Sequence, residues 1–182
     1  MAARIPRAPL WCALPLVLLT GCGSDGSSAE HALGEAVEVP HYVEVEDTEP
    51  ADTYRISVDA VRATDHETLA DAGLVLDEPA RATDAYLVDY TLENSGSTPI
   101  TFPRDPSGRA TDGTLVIAPV IEGATRFVPC RDAPDEVPAG GHATGCTVLL
   151  VPEGLELKRI EFWPGGDTDN VVWSVGSLTS EE

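Results

Sequence analysis

Residues 86–97, YLVDYTLENSGS, decide the fold. Their apolar side chains alternate with polar ones, so that one face of an extended segment would carry Tyr86, Val88, Tyr90 and Leu92, and the other would carry Leu87, Asp89, Thr91 and Glu93. This period of two is the signature of a half-buried β-strand. The segment ends at Asn94-Ser95-Gly96-Ser97, residue types that tolerate positive φ in turns. We therefore predict a core strand that closes on a tight turn.

The same period appears upstream of this strand. Tyr54, Ile56, Val58 and Ala60 alternate with polar side chains and predict a second half-buried strand. A first edge strand begins at Ala36 and is interrupted at Pro40, because proline is confined to strand edges and bulges. Between the two long strands, residues 64–83 form a polar connection with a single helical turn around Glu67–Asp71.

Short extended segments continue downstream to residue 175. They are predicted at 99–102, 115–121, 126–128, 146–151, 160–162 and 171–175. No stretch after the first 21 residues has ten or more residues with helical period. About seven to nine short strands separated by turns are typical of an antiparallel β-sandwich. The predicted class is all-β, with the sandwich over 36–178, a flexible Gly/Ser-rich tether over 22–35 and an acidic tail over 179–182.

The first 21 residues have the pattern of an export signal. Arg4 and Arg7 precede an apolar run from Leu10 to Leu19, which is shorter than the roughly 20 residues of a spanning helix. Leu19-Thr20-Gly21-Cys22 resembles the lipobox of bacterial lipoproteins. The resemblance implies cleavage between Gly21 and Cys22, a diacylglyceryl thioether on Cys22, and attachment to the outer face of the cytoplasmic membrane. A plain secreted protein is the alternative.

The remaining cysteines predict a disulfide. Cys12 leaves with the signal and Cys22 is taken by the lipid. Cys130 and Cys146 are then an even pair in an exported protein, which favours a structural disulfide between them. Fifteen residues separate the pair, a loop for which a crosslink contributes about 3 kcal/mol in the chain-entropy model. A metal site would need more ligands than these two cysteines and His142 offer.

The charge of the chain excludes one class of partner. The formal net charge is −20, and removal of Arg4 and Arg7 with the signal brings it to −22. Nucleic-acid binders neutralise phosphates with clustered Lys and Arg, so we predict no nucleic-acid partner. The same charge disfavours docking on anionic lipid, so the lipid on Cys22 is expected to hold the protein at the membrane.

Segments 54–61, 86–100 and 139–154 resemble a group of bacterial lipoproteins with an immunoglobulin-like, telokin-like domain of unknown function. The shared features are a strand that closes on an Asn-x-Gly turn, and a Gly-rich turn that leads into an apolar strand with a Val-Pro-x-Gly end. The resemblance covers roughly residues 36–176 and implies an immunoglobulin-like sandwich. The single lysine, Lys158, with abundant Ala, Gly and Asp, is typical of an actinobacterial chain. The family supplies no catalytic residue.

The sequence contains few motifs for catalysis or for metal binding. His66-Glu67 begins the zinc-protease motif, but position 70 is Ala, and the sequence contains no phosphate-binding loop or nucleophile elbow. We predict no enzyme and no cofactor. Acidic residues allow a calcium site without a recognisable spacing: Glu44, Glu46, Asp47, Glu49, Asp52, Asp105 and Asp112. Trp163 and Trp173 are expected in the core, with an exposed interface anchor as the alternative.

These observations lead to three hypotheses. The first is a lipid-anchored extracytoplasmic module that binds an envelope protein or a ligand through loops or a sheet edge. The second is a structural or accessory subunit that stabilises a membrane complex. The third is calcium-dependent recognition through the acidic loops.

Overall fold

The computed structural model of the chain describes residues 29–43, 49–101, 104–119 and 136–176. One helix, α1 (His66–Asp71), and one 3₁₀ turn (Ala80–Ala82) occur among these residues. The strands are β1 (Glu30–His31), β2 (Val37–His41), β3 (Asp52–Thr64), β4 (Thr83–Glu93), β5 (Ile100–Thr101), β6 (Ser107–Ala110), β7 (Leu115–Val116), β8 (Glu136–Val137), β9 (His142–Pro152), β10 (Leu157–Phe162) and β11 (Val171–Ser174). Of the predicted segment 115–121, the structure describes residues 115–119, and only Leu115–Val116 form a strand among them.

Two sheets form the sandwich. The first sheet has the order β1-β11-β10-β6-β7 and the second has the order β2-β3-β4-β9, while β5 and β8 pair separately. All neighbours are antiparallel except β1, which runs parallel to β11. The predicted all-β, immunoglobulin-like sandwich is confirmed. Among the described residues it has eleven strands, of which seven have four or more residues.

The main core lies between the two sheets and includes the predicted inner face of β4. Val88, Tyr90 and Leu92 of β4 are buried there, as the alternation in 86–93 predicts. Side chains from both sheets complete this core, among them Ile56, Val58, Leu149, Val151, Ile160, Phe162 and Trp173. Burial of side chains on both inner faces is what holds two sheets together as a sandwich.

The outer face of the second sheet is also covered. Leu87 of β4 points away from the main core but is buried in a second cluster beneath Leu69 of α1 and Leu74. The Asp65 side chain caps α1, since its Oδ1 accepts a hydrogen bond from the Thr68 N–H at 2.6 Å. The helical turn predicted around Glu67–Asp71 is confirmed, and it provides the surface that removes Leu87 from water.

The inner-face prediction for Ala60 is wrong. The pairing of β3 with β4 shifts between Val58 and Ala60, so that Asp59 is an extra residue in a β-bulge. The bulge changes the side-chain alternation, and Val61, rather than Ala60, is buried in the main core. The Asp59 carboxylate accepts hydrogen bonds from the Ser57 and Thr91 hydroxyls, both at 2.6 Å.

The N-terminal part of the domain differs from the sequence prediction at two places. The edge strand is not interrupted at Pro40, because β2 continues to His41 and pairs Pro40 with Thr53. Residues 29–35, predicted to belong to the tether, instead include strand β1, in which Glu30 pairs with Val172 of β11. The backbone carbonyl of Glu35 accepts a hydrogen bond from Trp173 Nε1 at 2.9 Å, which fixes this segment to the core.

Several predictions fall on residues outside the described ranges. They are the signal peptide 1–21 with its Gly21–Cys22 cleavage site, the tether before residue 29, the extended segment 126–128, Cys130, and the tail 179–182. Within the residues that the structure describes, no helix has the length and apolar character needed to cross a bilayer.

Candidate binding surface

Loops from both sheets meet where β10 finishes. Phe162, the last residue of β10, pairs with Val171, and Glu161 pairs with Ser107 at the start of β6. In the second sheet, the Tyr54 ring of β3 meets the Phe162 ring edge-on, with centroids 6.3 Å apart. Residues just before β6 and just after β2 and β10 therefore lie at the same end of the sandwich.

Trp163 emerges from the core at this end. Phe162 is buried, and the next residue, Trp163, has 39% of its surface exposed. The guanidinium carbon of Arg104 lies 4.4 Å from the centroid of the Trp163 ring, within cation–π range. Trp and Arg are both enriched among the residues that dominate interface energetics, and an indole gives a large contact area for little conformational entropy.

Tyr42 fixes the loop that follows Trp163. Gly165 and Gly166 have φ values of +119° and +55°, which other residues rarely adopt. A Cβ atom on Gly166 would lie 2.7 Å from Cζ of Tyr42, so the ring needs a glycine beneath it. The glycine pair allows the half-buried Tyr42 to lie on the loop backbone.

Val43 adds apolar surface beside Tyr42, with 56% of the residue exposed. We call Tyr42, Val43, Arg104 and Trp163 the aromatic patch. Exposed apolar groups at single positions need no explanation, whereas several at one end of a molecule point to a contact surface. The patch carries one positive charge on a strongly acidic protein.

Buried rings adjoin the aromatic patch and are called its floor here, since His41 precedes Tyr42 and Phe162 precedes Trp163 in the chain. The His41 ring meets the Tyr54 ring edge-on at 5.9 Å, and Tyr54 in turn meets Phe162. Burial lowers the pKa of His41, an effect that the nearby Asp52 partly opposes, so the imidazole is neutral at pH 7. Burial also raises the pKa of the Tyr54 hydroxyl, against the charge of Arg104. The floor is thus an uncharged, closely packed support.

A core hydroxyl positions the segment that carries Arg104. Tyr90 of β4 is buried, and its hydroxyl donates a hydrogen bond of 2.6 Å to Oδ1 of Asp105. Burial raises the pKa of Asp105, and this hydrogen bond opposes the rise. The residue next to Arg104 is therefore tied to the centre of the second sheet.

Asn94 joins two turns at the same end. Its side chain is buried, and Nδ2 donates to the backbone carbonyls of Thr98 at 2.9 Å and Val137 at 3.0 Å. Its Oδ1 accepts from the Gly96 N–H at 3.0 Å. The Asn94 backbone N–H also donates to the Gly141 carbonyl at 2.9 Å. One side chain thus holds the turn after β4 against the turn before β9.

The role of Gly96 differs from the sequence interpretation. Gly96 is absent from the glycines with positive φ. A Cβ there would instead lie 2.4 Å from the Asp52 carboxyl carbon, so close approach requires the glycine. The Asp52 carboxylate accepts hydrogen bonds from the N–H groups of Ser97 at 2.5 Å and Thr53 at 2.9 Å, and the Ser97 N–H lowers its pKa most. The Asp52 carboxylate therefore stabilises the turn that follows β4.

Two of the other acidic residues considered for calcium, Asp105 and Asp112, also have local partners. Asp112 accepts hydrogen bonds from the Thr114 N–H and hydroxyl, and Asp105 accepts from Tyr90. Among the described residues, no three His, Cys, Asp or Glu side chains come together to hold a metal ion. Glu44, Glu46 and Asp47 lie outside these residues, so calcium binding stays a prediction. Unfolding temperatures with calcium and with a chelator would test it, because a ligand specific for the folded form raises that temperature.

A second polar cluster lies on the outer face of the first sheet. Glu161 is 3% exposed, and its carboxylate accepts hydrogen bonds from Arg109 at 2.8 and 3.1 Å and from Arg159 at 2.8 Å. Asn170 adds a longer contact of 3.3 Å. The hydrogen bonds from Arg109 are the main reason that the pKa of Glu161 lies below its usual value. Both arginines are occupied by this carboxylate, so the cluster is a structural ion pair.

The two tryptophans have different roles. Trp173 is fully buried in the main core, as predicted. Trp163 matches the alternative, an exposed aromatic. Cys146 lies in β9, half-buried against the cluster beneath α1. Its predicted partner, Cys130, is outside the described residues, as are Gly21 and Cys22, so the disulfide and the lipid anchor stay predictions.

Sequence reasoning did not single out Tyr42, Val43 or Arg104. Arg104 and Trp163 are 59 positions apart, and only the pairing of β6 with β10 brings their loops together. The pair Gly165-Gly166 was the one local signal, because adjacent glycines often mark a close approach of another group to the backbone.

Comparisons with known proteins bear on the fold. No protein-family profile matches the chain, and no curated protein matches it in sequence. Among solved structures, the chain is similar to MPT63, a secreted protein from Mycobacterium tuberculosis, with a TM-score of 0.54 and 13% sequence identity. The match covers 82% of this chain and 98% of MPT63. At this identity the likeness supports the sandwich fold alone.

Proposed function

We propose that the protein is an extracytoplasmic, lipid-anchored interaction module and that the aromatic patch is its contact surface. The observation that carries the proposal is the Arg104–Trp163 pair, a solvent-exposed indole held under a guanidinium at 4.4 Å. The buried rings of His41, Tyr54 and Phe162 contact one another next to the patch, since Phe162 precedes Trp163 and His41 precedes Tyr42 in the chain. Groups held rigidly before binding lose little entropy when a partner arrives.

The sequence supports the export and anchoring part of this proposal. Leu19-Thr20-Gly21-Cys22 has the lipobox pattern after a charged and apolar leader. The similar fold of MPT63, described as a secreted protein, is consistent with an extracytoplasmic location. Lipidation on Cys22 is expected to appear as acyl mass on the N-terminal peptide, and an unmodified Cys22 in the mature protein would refute it.

The predicted disulfide also belongs to this proposal. An extracytoplasmic compartment favours formation of the Cys130–Cys146 bridge. The mature protein is expected to show no free thiol by mass under non-reducing conditions. Two free thiols would contradict the bridge while leaving the contact surface unaffected.

Photocrosslinking in intact cells tests the contact surface. A benzophenone amino acid in place of Trp163 is expected to give a recurrent crosslinked product, of protein or of lipid. The matched control carries the same group in place of Val75, which is 91% exposed on the segment after α1. We expect no recurrent product at position 75.

Two results would contradict the proposal. Absence of any product at position 163 would show that the aromatic patch is not a contact surface. Equal products at both positions would show that the crosslinks report exposure alone. The nature of a product at position 163, protein or lipid, bears on the next inference.

A further inference from the structure

We infer that the aromatic patch docks on the lipid headgroup layer of the membrane in which Cys22 is anchored. This rests on the proposed anchor and names the partner of the same surface. Three observations support it: the length of chain between the anchor and the domain, the place where that chain joins the sandwich, and the chemistry of the end that carries the patch.

The chain between the anchor and the domain is short. Cys22 and Ala29, the first described residue, are seven positions apart. An extended chain spans at most about 3.6 Å per residue, so these residues reach about 25 Å. Because residues 29–35 belong to the sandwich rather than to a tether, this is the full distance over which the domain can stand away from its anchor.

The chain joins the sandwich at the end that carries the patch. Glu30 of β1 pairs with Val172, directly beside the pair of Val171 with Phe162. Trp163 follows Phe162, so β1 starts next to the aromatic patch and runs away from it.

The opposite end of the sandwich is too far from this point to face the membrane. The eleven residues of β9 extend over about 35 Å at the usual rise of a strand. If the α1 end faced the bilayer, Ala29 would lie about 35 Å from the surface, which exceeds the 25 Å reach of the chain. The patch end therefore lies nearest the membrane.

The side chains of the aromatic patch suit the membrane interface. Trp and Tyr are enriched at the level of lipid headgroups, where an apolar ring and a polar group are both satisfied. Trp163 and Tyr42 provide such rings, and Arg104 provides a cation for headgroup phosphate. The outer face of the first sheet instead carries the ion pairs of Glu161 with Arg109 and Arg159.

The charge of the protein limits what kind of lipid contact this is. A mature net charge of −22 opposes attraction to an anionic surface, so ring insertion rather than long-range attraction provides the contact. The contact is accordingly expected on zwitterionic lipid and is expected to weaken as anionic lipid is added. The covalent lipid supplies the anchoring, and the patch sets the orientation.

Tryptophan fluorescence of the full acylated lipoprotein tests this inference. After removal of Trp11 with the signal, the mature chain has only Trp163 and Trp173, and Trp173 is fully buried. The protein is reconstituted into phosphatidylcholine vesicles with bromine atoms near the headgroup. We expect the emission of Trp163, taken as the difference between the wild type and W163F, to be quenched relative to unbrominated vesicles.

A matched control moves the reporter to the other end. The double variant W163F/V75W places the exposed tryptophan at a position that is 91% exposed beside α1, and we expect no quenching there. The W163F protein alone, with only the buried Trp173, is expected to be insensitive to bromine.

Each contrary outcome has a distinct meaning. A protein that does not float with vesicles would refute the anchor itself, and with it this inference. A protein that floats but whose Trp163 is not quenched would overturn the docking while leaving the anchor intact. Quenching of the reporter at position 75 in W163F/V75W would show that the α1 end faces the bilayer and would overturn the docking as well. A crosslink from position 163 to a protein, without quenching in lipid vesicles, would assign the patch to a protein partner instead.

Discussion

Trp163 and Trp173 are ten residues apart, but they belong to two regions with different uses. Trp173 has no exposed surface, packs between the sheets, and donates its Nε1–H to the Glu35 carbonyl. Trp163 is 39% exposed, and its ring lies under the guanidinium of Arg104. An indole surrounded on every side contributes to folding, whereas an indole open on one side keeps part of its surface for a partner. The comparison separates the framework of this domain from its contact surface.

The arginines of the framework and of the aromatic patch also make different contacts. On the outer face of the first sheet, Arg109 and Arg159 donate to the buried carboxylate of Glu161, so their hydrogen-bonding groups are used within the fold. At the aromatic patch, the guanidinium carbon of Arg104 instead lies over an indole ring, 4.4 Å from its centroid. An arginine that lies over an aromatic ring can still donate hydrogen bonds from its N–H groups in the guanidinium plane, and such donors suit the recognition of a binding partner.

The largest expected effect is that of W173A. Removal of a fully buried indole leaves a cavity between the sheets and an unpaired Glu35 carbonyl, so the free energy of unfolding should fall by about 3–5 kcal/mol. Denaturant unfolding measures the change. The milder W173F, which keeps most of the packing but loses the hydrogen bond, is expected to cost less, and a near-neutral W173A would contradict the framework role.

The next effect is that of N94A, which tests the framework beneath the patch end. The substitution leaves the Thr98 and Val137 carbonyls and the Gly96 N–H without their side-chain partner, at a cost of about 2–3 kcal/mol. The isosteric N94D should be no less destabilising, because a carboxylate oxygen would then face two carbonyl oxygens. Ser95→Ala, an exposed neighbour, is the control and should change the free energy of unfolding little.

A smaller effect is expected for E161Q, which breaks the ion pairs beside Trp173. Loss of the charge leaves Arg109 and Arg159 without their carboxylate, and because both reach solvent the cost is about 2 kcal/mol at pH 7, below that of a fully buried pair. The glutamine keeps the size of the side chain, so packing is preserved.

The pH dependence of this variant has a definite sign. The folded pKa of Glu161 is lowered, mainly by Arg109, so its stabilisation is present above the unfolded pKa of about 4.5 and is lost as the pH falls through the folded pKa. The difference in free energy of unfolding between wild type and E161Q should therefore shrink below pH 4.5. A difference that stays constant down to the acid limit would show that the carboxylate charge is not responsible.

Local alternation was enough to predict the framework but not the contact surface. The period of two in 86–93 and in 171–175 correctly placed Tyr90 and Trp173 inside, because such a strand has one face buried by the opposing sheet. The bulge at Asp59 was missed, since a single extra residue leaves no mark in composition. Strand β1 was missed because a two-residue pairing with β11 depends on tertiary contact. The Arg104–Trp163 pair depends on a long-range strand pairing in the same way.

The smallest effect on stability is expected for W163A, the counterpart of W173A on the surface. Trp163 gives up partial burial and a cation–π contact that is worth about 0.5–1 kcal/mol at exposed sites, so the free energy of unfolding should fall by about 1–2 kcal/mol, which is less than for W173A. With the benzophenone amino acid moved to position 43 of the same patch, W163A should nevertheless lose the recurrent crosslinked product, whereas V75A should change neither the stability nor the crosslink. A loss of stability comparable to that of W173A would mean that Trp163 belongs to the framework, and the distinction between the two tryptophans would then disappear.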